Sequence, residues 1–250
     1  MNTSSLNEAS KIYQVSTLQA LLMGYNKSVI SIEELLRNGN IGLGTFENLD
    51  GEMIVLDGHC YRAMQSGEIM EPTPDTGVPF SAVAFMQGER TFPLSGIGSI
   101  SDLREELTVK VEEGFGLNSI HIARIDGLFQ RVDARSAAPY QAPHVPLKDV
   151  MGDLQKEFVF EQQRGTLVCV YFPDYLDGIN AEGWHLHFIT EDRRRGGHVL
   201  DLALAEGTVR LMKLNSLEMR LPHDPSFDTY SLHDDMQDDI KQVETGGEKS

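Results

Sequence analysis

Residues 183–204 read GWHLHFITEDRRRGGHVLDLAL, with His185 and His187 two positions apart and His198 eleven positions after His187. In a strand, side chains two apart share a face, so His185 and His187 project together while Trp184, Leu186 and Phe188 point the other way into packing. The polar EDRRRGG segment ends in glycines able to take positive φ, and HVLDLAL alternates again. The stretch therefore reads as an antiparallel hairpin that returns His198 beside the first pair. Three neutral imidazoles converging from adjacent strands make an open Zn2+ site whose fourth position is left for water or substrate. A lone His-x-His on a strand is more often a surface or hydrogen-bonded pair, so the third histidine is what turns the reading toward metal. The other histidines, His59, His121, His144, His223 and His233, are scattered and are read as structural or surface residues.

Outward from the hairpin, short helical and strand-like runs alternate. Residues 1–10 are polar and are expected to form a disordered tail. STLQALLMGYN (residues 16–26) carries apolar side chains at helical spacing after a candidate Ser16 cap, and SIEELLRNG places Ser31 and Glu34 at capping-box spacing with Gly39 where a left-handed terminator belongs. From Ile41 the period changes to two. IGLGTF, EMIVL, HCYRAM and EIMEP are separated by Asp50-Gly51, Asp57-Gly58 and Ser66-Gly67, which predicts an antiparallel meander. A Pro-rich loop at 72–79 leads to FSAVAFM, then to an amphipathic helix at 99–114 with Leu103, Leu107 and Val111 on one face. NSIHIARI, Asp126-Gly127 and LFQRVDAR then predict a hairpin.

A helix-then-strands order recurs after Pro146, where PLKDVMGDLQKEF is followed by FVFEQQ, TLVCVYF, the histidine hairpin and TVRLMKLNSLEMRL. The expected fold class is α+β: two sheet-containing halves with mixed or antiparallel β-sheets, a few short helices and weak βαβ-type internal symmetry. The expected units are an N-terminal α+β half at 11–145, a β-rich half at 146–222 that carries the metal site, and an acidic tail at 223–250 in which LHDDMQDDIKQVE is a candidate short helix. Taken alone, such a tail is a solvated end.

Composition bounds the function. With 38 acidic against 21 basic side chains in 250 residues the formal charge is −17, a field that repels phosphate backbones and anionic lipid. Neither nucleic acid nor membrane is expected as a partner. The N-terminal segment lacks the features of an export signal and no run approaches a membrane span, so a soluble cytoplasmic protein is expected. Cys60 and Cys169 lie in β-prone runs and read as small buried hydrophobes rather than a disulfide. GIGSI at Gly96 lacks the spacing of a dinucleotide loop.

Several blocks together resemble the alpha-acetolactate decarboxylase family: IYQVSTLQALL near the start, GLGTF at 42–46, LDGEMIVLDG at 49–58, IARIDGLFQRVDAR at 122–135, RGTLV, GWHLHFITEDRRRGGHV and MRLP. The resemblance spans about residues 12–245. It implies metal-dependent decarboxylation of 2-acetolactate to acetoin and CO2, usually with zinc, an α+β fold and a homodimer. It assigns the metal ligands to His185, His187 and His198. Active-site roles fall on Glu52 in LDGEM, Arg135 in DARS, where relatives more often read TRT, Thr45 in the Gly-Thr-Phe segment, and Glu244 in DIKQVE.

The chemistry suits those residue types. Loss of CO2 leaves an electron pair that must flow into the neighbouring ketone as an enediolate, and a divalent cation supplies the electron sink. The forked cation of Arg135 suits a clamp on the substrate carboxylate or a relay that protonates one face of the enediolate; without the resemblance it reads as a sheet-edge salt bridge. Glu52 and Glu244 suit a general base or a support for bound water. Two alternatives compete. A cupin-like iron oxygenase would use Glu191, four residues after His187, as a fourth ligand, but the glycine spacing and the early third histidine do not fit, and Glu191 reads as a turn cap. A metal-stabilised binding module without turnover is the other. Arg193, Arg194 and Arg195 are expected to form a solvated turn, with attraction of an anionic substrate as the second reading.

Overall fold

The computed structural model describes residues 10–88, 90–141 and 143–232. The first part of the chain forms β1 (Lys11–Val15), α1 (Leu18–Leu22), β2 (Ile30–Ser31), α2 (Ile32–Leu36), β3 (Ile41–Thr45), β4 (Glu52–Leu56), β5 (His59–Ala63), β6 (Ile69–Met70), β7 (Gly77–Val78) and β8 (Phe80–Ala84). It continues as β9 (Arg90–Ile97), α3 (Ile100–Gly114), β10 (Ile120–Ala137), α4 (Leu147–Leu154), β11 (Gln155–Phe172), β12 (Gly183–Thr190), β13 (Gly196–Leu214) and β14 (Ser216–Arg220). The α+β class with several sheets and a few short helices is as expected from the sequence.

Local signals explain most of the first part. The Asp57-Gly58 turn joins β4 to β5 with both residues at positive φ, 54° and 79°, the geometry two-residue hairpins favour. Ser31 caps α2 by accepting from the Glu34 backbone N–H at 3.3 Å. Two details differ from expectation. Thr17, not Ser16, caps α1, accepting from Ala20 N at 3.2 Å, while Ser16 turns the chain at φ 56°. Gly39 is no left-handed stop; it is needed because a Cβ there would lie 2.6 Å from the backbone nitrogen of Ala84.

The seven-stranded sheet has the order β14-β1-β8-β3-β4-β5-β6. Its pairings are antiparallel except β1 with β14, which is parallel. The other large sheet differs most from its sequence reading. Asp126-Gly127 is not a hairpin turn but the middle of the 18-residue strand β10, and Gly165 and Gly207 likewise lie inside β11 and β13. These three glycines face one another across the strands, Gly127 being paired with Gly165 and with Gly207. A Cβ on Gly127 would stand 2.5 Å from Glu206 O, and one on Gly165 2.5 Å from the Phe188 ring. The glycines serve close approach of backbones, not chain reversal.

β10 is hydrogen-bonded to β11 and β13, and β12 is bonded to the same two strands, so the four close into a ring. Closure demands a stagger. His187 pairs with Val168 and with His198, and those two meet β10 at Arg124 and Arg135, eleven residues apart on one strand. The inside-outside alternation also slips: Ile125 and Phe129, then Val132 and Ala134, all join one apolar cluster, and the register with β13 shifts between them. This bulge turns Arg135 away from that cluster.

Packing gives four layers. Ile12, Leu43 and Ile54 of the first sheet meet Ile122, Val168, Ile189 and Met212 of the second in a shared core. Behind the second sheet lies α3, whose Leu103, Leu107 and Val111 are fully buried; behind the first lies α2 with Ile32 and Leu35. Strand pairings cross residue 146 in both directions, since β14 joins the first sheet and β9 and β10 join the second. Among the described residues no helix is long and apolar enough to cross a membrane. Of the expected tails at 1–10 and 223–250, residues 1–9 and 233–250, with nearly all of the candidate helix, lie outside the described residues; within 223–232, Tyr230 is buried and packs edge-on against Tyr25.

Two predictions follow from the close packing and from one buried group. Gly127→Ala is expected to lower stability by roughly 1–3 kcal/mol, because backbone must yield, whereas Gly152→Ala in α4, with nothing near its Cβ, is expected to raise it by about 0.5–1 kcal/mol; thermal and urea denaturation compare the two. His121 is fully buried on β10, with Nε2–H donating to Gly116 O at 3.2 Å and Nδ1 without a hydrogen bond. Burial lowers its pKa from 6.5 to about 4. The unfolded chain therefore binds the proton first as pH falls, and stability is lost between about pH 6.5 and 4. His121→Gln is expected to remove about 3 kcal/mol of that pH dependence, read as a flatter plot of unfolding free energy against pH.

Candidate metal centre and active-site pocket

His185 and His187 project from β12 into the gap between the two large sheets, on the same face as Ile189, which joins the inter-sheet core. His198 stands directly opposite His187 in the β12–β13 pairing, as the hairpin reading expects. One ring nitrogen from each of the three lies within 4.8 Å of the others, and all three residues are buried. His185 Nε2 faces His198 Nδ1 at 3.0 Å.

The turn that makes this possible differs from its sequence reading. Gly196 and Gly197 begin β13 instead of forming the turn, because Cβ atoms there would lie 2.5 Å from Phe188 O and 2.7 Å from Arg135 O. The positive φ falls on Arg193 instead, at 59°. Nor is Glu191 the cap: Thr190 Oγ1 and the Arg194 N–H both donate to Asp192 Oδ1, at 2.7 and 3.1 Å. Of the three arginines, Arg195 lies over the Phe160 ring at 4.6 Å and Arg193 reaches Asp57 at 3.8 Å.

Burial sets the protonation state of His185 and His187. It lowers the pKa of His185 to about 3, with Arg135 and Arg104 adding repulsion, and holds His187 well below 6.5, with His185 adding to the effect. His187 Nδ1 is 2.8 Å from Met53 O, so that nitrogen carries the proton. Its Nε2 is then a bare lone pair, buried without a hydrogen bond and 3.5 Å from Glu52 Oε2. Three buried imidazoles, one with an orphaned buried nitrogen and a backbone carbonyl orienting its other side, fit a divalent transition metal.

Around this centre the two sheets and two helices build a pocket. Its lining includes Thr45, Glu52, Arg135, His185 and His198 with Leu18, Leu21 and Leu22 of α1, Leu49, Phe80, and Leu147 and Met151 of α4. Thr45 and Glu52 are cross-strand partners at the ends of β3 and β4, and the Thr45 hydroxyl donates to Gly51 O at 2.9 Å. Arg135 pairs in register with His198 and is buried, donating from Nη1 to Gln155 Oε1 at 2.7 Å. The pocket thus brings together Thr45, Glu52, Arg135, His185 and His198; His187 is not part of its lining but stands 3.5 Å from Glu52, and Glu244 lies outside the described residues.

Three features had no clear sequence signal. Gln155 reads as the end of a helix, yet it caps α4 and holds the Arg135 side chain. The helices α1 and α4, ordinary amphipathic segments in the sequence, form the apolar wall. The third is the loop between β3 and β4, where Asn48 and Leu49 both take left-handed backbone, φ 62° and 60°. A bulky side chain there costs roughly 1–3 kcal/mol. The crowding of polar residues in FENLDG is the nearest thing to a signal for it.

Comparison with known proteins agrees with this geometry. Residues 12–234 match the alpha-acetolactate decarboxylase family. A protein of that name from Methanosarcina mazei is 36% identical over 240 residues, covering 96% of this chain and 82% of its own. The Bacillus subtilis alpha-acetolactate decarboxylase is 34% identical, covering 94% and 90% of the two chains. A crystal structure of the enzyme from that species superposes with a TM-score of 0.89 at 33% identity, over 95% of this chain and all of the other. The match in sequence and in fold extends over nearly the whole chain, and it takes in every described residue of the pocket: the chain belongs to the alpha-acetolactate decarboxylase family of enzymes.

Proposed function

We propose that this carboxy-lyase converts 2-acetolactate to acetoin and CO2 using zinc held by His185, His187 and His198. The observation that carries the metal is the trio of buried imidazoles with a bare nitrogen at His187. A bound divalent ion supplies an electron sink next to the ketone, stabilising charge that appears only as CO2 leaves. The substrate is an anion, and Arg135 is the cation lining the pocket beside His198, so its planar fork is assigned to the carboxylate. Glu52, at the pocket wall near His187, is assigned the proton of the tertiary hydroxyl. The Thr45 hydroxyl, whose hydrogen is directed to Gly51 O, offers its lone pairs to the substrate or to ordered water. Glu244 is retained as a second carboxylate of the site on the family resemblance.

The apolar wall from α1 and α4 excludes water from the electron-rich product of decarboxylation and leaves one side for protonation, which would give one acetoin enantiomer. The proposal includes a homodimer in the cytoplasm. Two cysteines that are both free and buried are compatible with a reducing compartment.

Two measurements test it. Protein stripped of metal is expected to release no acetoin, to recover on addition of one zinc ion per chain, and to lose activity more than about a hundredfold in His187→Ala; no acetoin from the folded, zinc-loaded protein would dismiss the reaction. Arg135→Lys keeps the charge but loses the fork and the hydrogen bond to Gln155, and is expected to lower kcat/KM about 10–100-fold, mainly through KM. Steady-state kinetics with unchanged KM would remove the carboxylate from Arg135.

A further inference from the structure

We propose that Leu49 sets the size of alkyl group the enzyme accepts on the carbon that bears the hydroxyl, an inference that rests on the pocket being the substrate site. Its backbone is the starting point. Leu49 follows Asn48 at left-handed φ, 60° after 62°, a conformation glycine adopts without steric cost and leucine does not. Such outliers persist only where the surroundings over-determine them.

Here the surroundings do so from three sides. Asn48 N–H donates to Asn26 O at 2.9 Å and Asn48 O accepts from Tyr140 N at 2.6 Å, tying the loop to the segments that flank α1 and α4. Leu49 N–H donates to Phe46 O and Gly51 N–H to Leu49 O. The loop is also the tip of the hairpin whose stems end in Thr45 and Glu52, so the side chain it presents is fixed relative to both.

That side chain is buried and lines the pocket with Glu52, Arg135, His185 and His198, while joining the apolar cluster of Leu18, Leu22, Phe80 and Leu147. The other apolar members of the wall stand on helices and on a strand with ordinary backbone. A leucine held at a strained position, three residues before Glu52, is a fixed stop rather than a filler. A 2-acyl-2-hydroxy acid presents an alkyl group on the carbon that loses CO2, and that group needs an apolar contact beside the polar ones.

The test compares 2-hydroxy-2-methyl-3-oxobutanoate with its 2-ethyl homologue. In Leu49→Ala and Leu49→Gly the ratio of kcat/KM for the ethyl over the methyl substrate is expected to rise about tenfold or more. Leu49→Met, which conserves volume, is expected to keep the ratio within about twofold and guards against loss of folding in the smaller variants. Leu49→Phe is expected to lower it. Unchanged ratios in folded Ala, Gly and Phe variants, with the wild-type chain active, would overturn the role of Leu49 alone. An inactive wild-type chain would overturn the substrate assignment, and this proposal with it.

Discussion

Three imidazoles buried in the gap between two sheets are the constraint on which the rest depends. Elsewhere that gap is filled by isoleucine, leucine and valine. A polar ring placed there must be desolvated, and for His185 and His187 desolvation disfavours the charged form. The fold meets part of the cost with a backbone carbonyl at His187. His185 and His198 meet each other, ring nitrogen to ring nitrogen, at 3.0 Å where the pocket begins. Ring nitrogens gathered at one point are poor packing but suit coordination, and a metal ion held there would make the stability of the sheets' end and the chemistry inseparable.

The hairpin that carries the histidines was legible in the sequence because the period-two alternation of WHLHF and HVLDL is a local property with a global consequence. The same held for Asp57-Gly58, where turn and glycine coincide. It failed at Asp126-Gly127 for a physical reason. Glycine answers two demands, positive φ and absence of a Cβ, and a sequence does not say which is being met. Gly127, Gly165 and Gly197 all meet the second, through strands whose approach local spacing does not reveal. The position of Arg135 was unreadable by alternation for a related reason. The slip between Phe129 and Val132 reverses which side of β10 faces the pocket, and only the pairing with β13 reveals it.

The ring of β10, β11, β12 and β13 links these features. Its stagger brings His187, His198 and Arg135 onto adjacent strands at one level. A flat sheet would hold the same three in register, but it would not bring β12 and β13 together at one end while β10 separates β11 from β13 along their length. The glycine row permits the close approach this requires, so residues far from the pocket bear on its geometry. The strained Asn48–Leu49 loop acts from the facing sheet. Two rigid elements, one per sheet, therefore define the pocket from opposite sides, and the helices α1 and α4 complete it with apolar surface.

Charge gives the last step. A chain of formal charge −17 repels an anionic substrate on average. At physiological ionic strength that repulsion fades over roughly 8 Å, and what acts inside the pocket is the local balance. There the described side chains include one buried guanidinium, Arg135, against one carboxylate, Glu52. Adding a doubly charged cation at the histidines makes the interior positive while the exterior stays acidic. Recognition of a small anion in such a protein has to come from short-range contacts in a desolvated site, where Coulombic interactions are strongest and salt has least effect. The burial that disfavours protons on His185 and His187 would thus also let one arginine and a metal ion held there outweigh the charge of the whole surface.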